Sequence, residues 1–241
     1  MKIVDSFAGC SGNFCHCRQM KSFPRSPRAS AFSLVELLVV MVVIAIVATF
    51  AVPAVTGIIR GSAMTQTSQI LVDQPSLARQ LALSKNRAME VRFYQYADPE
   101  QPGEAVATAA TWQYRALQVF EVVESGAAVP ADKVQRFPGL VIANPAAVFS
   151  TLIAGTGQAA KVPTTKDPEL PRGVGRSYKY VAFRFLQDGS TNLSPTQSGG
   201  WFLTVHSLND KVTGSVPPLN FFTVQLDPVS GSTKGFRPTA G

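Results

Sequence analysis

Residues 37–55 read LLVVMVVIAIVATFAVPAV, nineteen positions in which Thr49 is the one polar side chain. As a helix this stretch would be about 28 Å long, enough to cross the hydrocarbon core of a bilayer. A cleaved secretory signal has a shorter apolar core that ends in a small-x-small site. No such site is clear here, and the run grades into a further helical pattern, so the segment reads as retained. Glu36 stands at its start, where an unpaired carboxylate costs roughly 2.5–3.5 kcal/mol near the bilayer centre and less near an interface. It is either a flanking charge at the headgroup boundary or an acid kept for a partner.

The flank before the run is basic. Of 22 Lys and Arg against 15 Asp and Glu in 241 residues, residues 1–31 hold Lys2, Arg18, Lys21, Arg25 and Arg28 against Asp5 alone. More than half of the net +7 therefore lies in the first eighth of the chain. A basic patch directly before an apolar stretch reads as a topogenic signal held on the cytoplasmic side, not as a nucleic-acid stripe. Hydrophobic residues make up 46% and charged residues 15%, which excludes a largely disordered chain. Cys10, Cys15 and Cys17 share the leader and residues 18–241 contain none, so a disulfide-stapled exported domain is excluded. Cys15-His16-Cys17 is too tightly spaced for a zinc site of two separated pairs. Met1 and Met20 are alternative translation starts; Met20 opens a twelve-residue leader that keeps Lys21, Arg25 and Arg28.

Ala31-Phe32-Ser33-Leu34-Val35-Glu36, followed by the apolar run, resembles the type IV prepilin N-terminus. The resemblance implies cleavage by a membrane prepilin peptidase between Ala31 and Phe32, N-methylation of Phe32, and retention of Glu36 to set subunit register. Pro53 stands where a proline is common in pilin stems. The residue before the cut is usually Gly in that family and is Ala31 here. The stretch from Ala78 to Arg87, leading into Val91-Arg92-Phe93-Tyr94, is similar to GspH-type minor pseudopilins of type II secretion. It is more similar still to the pilin-like Verru_Chthon cassette protein D family of Verrucomicrobia. Asn220-Phe221-Phe222-Thr223-Val224, Asp227-Pro228 and Phe236-Arg237-Pro238 fit the same impression. The implied partners are the peptidase/methylase, other pilin-like subunits, an inner-membrane assembly platform and the lipid bilayer; nucleic acid is not expected. The implied place is the inner membrane, single-pass, with the head on the periplasmic side or in a periplasmic or surface filament.

Beyond the apolar run, Leu77, Ala78, Leu81, Ala82, Ala88 and Met89 make one apolar stripe. Pro53 and Pro75 predict kinks, with Asp73 placed to cap a restarted helix. From residue 90 the apolar period becomes two. Strands are predicted at 112–123, 178–186, 201–207 and 220–226, with turns at Asp188-Gly189 and Ser230-Gly231. The runs at 140–143 and 150–153 fit strands or a small helix, and 154–177 reads as loop. No internal repeat is apparent. The expectation is an α+β chain: leader 1–31, transmembrane helix 32–56, amphipathic stem 57–89, and an antiparallel β-rich head over 90–241 packed on the stem.

No catalytic constellation emerges, and the chain reads as a structural subunit without a cofactor. His206 in WFLTVHS reads as an edge or satisfied-core histidine. Gly155-Thr156-Gly157 and Gly173-Val174-Gly175 read as turns, lacking the strand-to-helix context of a phosphate loop. Asp167, Glu169 and Asp188 are carboxylates that calcium could use, though no spacing compels a site. The alternative is a membrane-anchored exported binding or enzymatic domain on a prepilin-like anchor.

Overall fold

The computed structural model describes residues 33–104, 109 and 111–238, the side chains of 50–56 excepted. The leader, with its cysteines and both methionine starts, and the pair Ala31–Phe32 lie outside the described residues. The chain divides between Thr49 and Phe50 into two compact units.

Helix α1, Leu34–Lys85, contributes to both units. In the second unit its buried face runs through Met64, Thr67, Leu71, Pro75, Ala78 and Ala82, spaced three or four apart. The Thr67 hydroxyl is satisfied within the helix by donating to the Ala63 carbonyl at 2.9 Å. The expected restart at Asp73–Pro75 is not found: the helix is continuous through both Pro53 and Pro75. Pro75 lies on the buried face, where packing offsets its missing hydrogen bond, and Asp73 is a mid-helix surface residue rather than a cap. The stem also ends earlier than expected. Asn86 adopts a left-handed φ of 51°, and the Arg87 N–H donates to the Ala82 carbonyl, a Schellman-type stop. Met89 therefore belongs to the first strand, not to the helix.

All the strand pairings are antiparallel. β1 (Met89–Tyr96) lies between β6 (Lys179–Phe185) and β2 (Gln113–Val122). The other side of β2 takes three short strands in turn: β3 (Ala128–Pro130), β4 (Gln135–Arg136) and β5 (Val141–Ala143). β5 leads on to β7 (Trp201–Ser207), β8 (Phe221–Leu226) and β9 (Thr233–Phe236). The run 150–153 resolves as a one-turn helix α2, Thr151–Ala154. The four long strands match expectation to within two residues at each end; β3, β4 and β9 carry no apolar alternation and were not anticipated.

Both faces of the central strands are buried. One face sets Val91, Phe93, Leu117, Val119, Val181, Phe183, Phe185, Leu203 and Val224 against the helix stripe. Ala78 and Ala82 let the helix approach this aromatic-rich surface closely. The other face forms a second cluster of Tyr94, Tyr96, Phe120, Tyr178 and Tyr180, closed by Leu170 and Val174. Apart from Ala154, which closes α2, the segment 154–177 is loop, as expected, and it also roofs this second core. The chain is thus α+β, an N-terminal helix followed by an antiparallel sheet.

Candidate functional site

Ser33 opens α1. The Val35 N–H donates to Ser33 Oγ at 3.3 Å, and the Leu37 N–H donates to the Ser33 carbonyl at 3.1 Å. Ser33 is therefore the N-cap, and Glu36 falls in the first turn, where the helix dipole favours an acid. Ser33-Leu34-Val35-Glu36 has the S-x-x-E spacing of a capping box, a local signal that the sequence reading passed over. Among the described residues nothing pairs with the exposed Glu36 carboxylate. The cap satisfies helix donors and leaves the acid's outward face open to a partner.

From Leu34 to Val47 the helix exposes every large apolar side chain, from 49% at Val40 to 82% at Leu34. Contiguous apolar surface of this kind is covered by lipid or by another protein in a functional state. Among the described residues no helix is long and apolar enough to cross a membrane. The run read over 37–55 extends into 50–56, whose side chains lie outside the description.

In the head, the polar side chains around Arg92 are engaged with one another. Arg92, 5% exposed, donates to Glu90 at 2.6 Å and to Asp167 at 2.6 Å, while Arg184 donates to Glu90 at 2.8 Å. The Arg92 guanidinium stacks over Phe120 and Tyr180, 4.2 and 4.4 Å from the ring centroids. Burial pushes the Glu90 carboxyl up, but the bonds from Arg92 and Arg184 outweigh it and hold it below the usual range. Burial opposes ionisation of Asp167 as well, and donors from Thr164 and Arg92 outweigh it in turn. Burial raises the Tyr178 phenol to about 12, and its hydroxyl donates to the Pro168 carbonyl. These groups fasten the 154–177 roof to the sheet.

The other candidates resolve separately. Glu169 accepts from Arg176 at 2.7 Å, and Asp188 accepts from the Ser190 N–H and hydroxyl within its turn. Asp167, Glu169 and Asp188 thus serve three different partners, and the described residues hold no metal-ligating cluster of three or more. His206, 4% exposed, lies 2.8 Å through Nδ1 from the Ser207 carbonyl and 3.0 Å through Nε2 from the Asn144 amide. With the proton on Nδ1 both ring nitrogens are satisfied, as a core histidine requires. Gly157, Gly173 and Gly175 occupy positive φ in turns. A polar cleft of about 330 Å³ is lined by Asp98, Glu100, Arg115, Arg136 and Arg172; Arg136 pairs with both acids, Arg172 pairs with Glu100, and Arg115 is held by Glu104.

Residues 26–52 match the family model of the prokaryotic N-terminal methylation motif. The match spans Ala31, Phe32 and Glu36, the positions singled out in the sequence. The chain is similar to the crystal structure of the type IV minor pilin FimU from Pseudomonas aeruginosa strain PAO1. That similarity has 14% identity and a TM-score of 0.37, and covers 74% of this chain and 90% of that one. The α+β fold rests on the helix and strands described above. No curated protein matches the chain.

Proposed function

We propose that the chain is a pilin-like or pseudopilin subunit: a structural protein, not an enzyme. The observation that carries this reading is the methylation motif joined to a helix whose large apolar side chains from Leu34 to Val47 are exposed among the described residues. In this reading a prepilin peptidase removes 1–31 by cutting between Ala31 and Phe32, and Phe32 is then N-methylated. Residues 32–56 sit in the inner membrane and the head lies on the periplasmic side. Assembly through an inner-membrane platform gives a pilus or a secretion pseudopilus made with other pilin-like subunits. The finer placement beside Verru_Chthon cassette protein D and the GspH-type pseudopilins belongs to the same proposal, supported by the segments quoted above.

Cleavage places a new amine at Phe32, about one helical turn from Glu36. A neighbouring subunit's amine meeting this carboxylate would neutralise both charges and fix the axial register. Intact-mass analysis of membrane fractions tests the reading: a chain beginning at N-methyl-Phe32 is expected, and a chain retaining 1–31 would overturn it. Glu36→Val should leave insertion and head folding unchanged while excluding the subunit from assemblies in competition with wild type. Normal neighbour crosslinks in that variant would reduce Glu36 to an interfacial charge and favour the anchored-domain alternative.

A further inference from the structure

The stretch of α1 that begins the second unit is apolar as well as cationic. Ile58 and Ile59 are 71% and 61% exposed, and Arg60 beside them has no acidic partner among the described residues. Beside this stretch lies the loop 209–220, which joins β7 to β8. Asp210 and Asn220, near its two ends, line one apolar cavity of about 260 Å³ together with Ile59, Arg60, Ala63 and Met64. The loop abuts the helix there, within the head. Its tip turns tightly between Thr213 and Val216, with Gly214 at φ 60°. Pro218 is buried and fixes the loop, while the next residue, Leu219, is 98% exposed and Val216 65%. Lys211 is exposed without an acidic partner among the described residues, and Asp210 accepts the Ser207 N–H in its own turn.

We propose that this surface of the head, Ile58, Ile59, Val216 and Leu219 with Arg60 and Lys211, docks on the anionic phospholipid interface of the membrane. The inference rests on the membrane-anchored reading above. Ile58 follows Val55, the last residue of the apolar run, by three positions, about 5 Å of helix rise. Ile58 and Ile59 then fall within the headgroup layer, which is roughly 5–7.5 Å deep on each side of the hydrocarbon, and Arg60, about 7.5 Å past Val55, stands at its aqueous edge. A leucine left almost wholly in water beside a buried proline costs hydrophobic free energy, which insertion among acyl chains regains. The two unpartnered cations outnumber Asp210 and match phosphatidylglycerol headgroups, which attract Lys and Arg near such a surface. The surface therefore combines exposed apolar side chains with two unpaired cations, the composition of an interfacial contact.

The test uses the full chain in vesicles of phosphatidylethanolamine and phosphatidylglycerol, with Cys10, Cys15 and Cys17 changed to Ser. A fluorescent label is placed singly by Leu219→Cys, Ile59→Cys, Val43→Cys or Val129→Cys. Labels at 219 and 59 are expected to be quenched by doxyl-lipids and protected from aqueous iodide. A label at 129, on exposed β3, should show the reverse. Val216→Asp should return the 219 label to iodide without changing the head's denaturation midpoint. Iodide quenching at 219 alongside lipid quenching at 43 would overturn this docking and leave the anchor standing. Protection of 219 from both quenchers, growing with protein-to-lipid ratio, would give the surface to a second copy and also overturn it. Iodide quenching at 43 would remove the anchor itself, and the docking with it.

Discussion

Leu34–Val47 and Ala63–Ala82 belong to one α-helix, and they meet their surroundings in opposite ways. The first stretch exposes large β-branched and leucine side chains around the whole helix. The second buries a narrow stripe that includes small residues, Ala63, Ala78 and Ala82, and turns polar residues to solvent. A helix uniformly apolar around its circumference has no preferred face, so it suits a medium that surrounds it; a striped helix suits a surface that meets it from one side. The chain thus carries two folding problems in one secondary structure. The sheet solves the second.

Matched substitutions break the comparison most sharply on the striped side. Arg92→Ala removes the guanidinium that ties Glu90 to Asp167 beneath the roof, leaving buried carboxylates short of a partner. About 3–5 kcal/mol of head stability should be lost in urea titrations. Leu71→Ala opens a cavity between stem and sheet and should cost about 2–5 kcal/mol. Val43→Ala, its counterpart on the exposed stretch, should leave the head's midpoint unchanged within error. A Val43→Ala effect as large as that of Leu71→Ala would show that the two stretches are not energetically separate.

Acid sharpens the contrast further. The folded-state pKa values of Glu90 and Asp167 are depressed, so their contribution is fully present above the unfolded carboxylate range and fades as pH falls through the folded values. The head should therefore lose stability below about pH 4, the unfolded carboxylate range. The Arg92→Ala variant should lose less over the same interval, and equal acid slopes in both would contradict the assignment. The smallest effect belongs to the helix start. Ser33→Ala removes the cap and should cost about 1 kcal/mol, seen as faster amide exchange at Val35 and Leu37 with the head unaffected.

Arg79 shows how the striped half also organises turns. Its Nε donates to the Ser230 carbonyl at 2.9 Å and to the Gly189 carbonyl at 3.4 Å, so one helix residue clamps two hairpin turns. Gly231, at φ 67°, lies against the Gly189 carbonyl, and a Cβ there would collide with it. Both turns were legible from Asp188-Gly189 and Ser230-Gly231. Their docking onto each other was not, because nothing in two separated dipeptides encodes contact.

By itself the sequence determined the elements whose signal is local. The apolar run, the basic flank, Glu36 at its start, the change of period near residue 90 and four long strands all follow from spacing and side-chain type. Tertiary structure alone decided the rest, since each case depends on what a residue meets across the fold. Pro75 stays inside a helix because its face is buried. β3, β4 and β9 are strands because a neighbour offers unpaired backbone groups, with no alternation of their own. The polar alternates of β1, Glu90, Arg92 and Tyr94, look solvent-facing as sequence. They are buried because the loop 154–177, some seventy residues away, brings Asp167, Leu170 and Val174 to cover them.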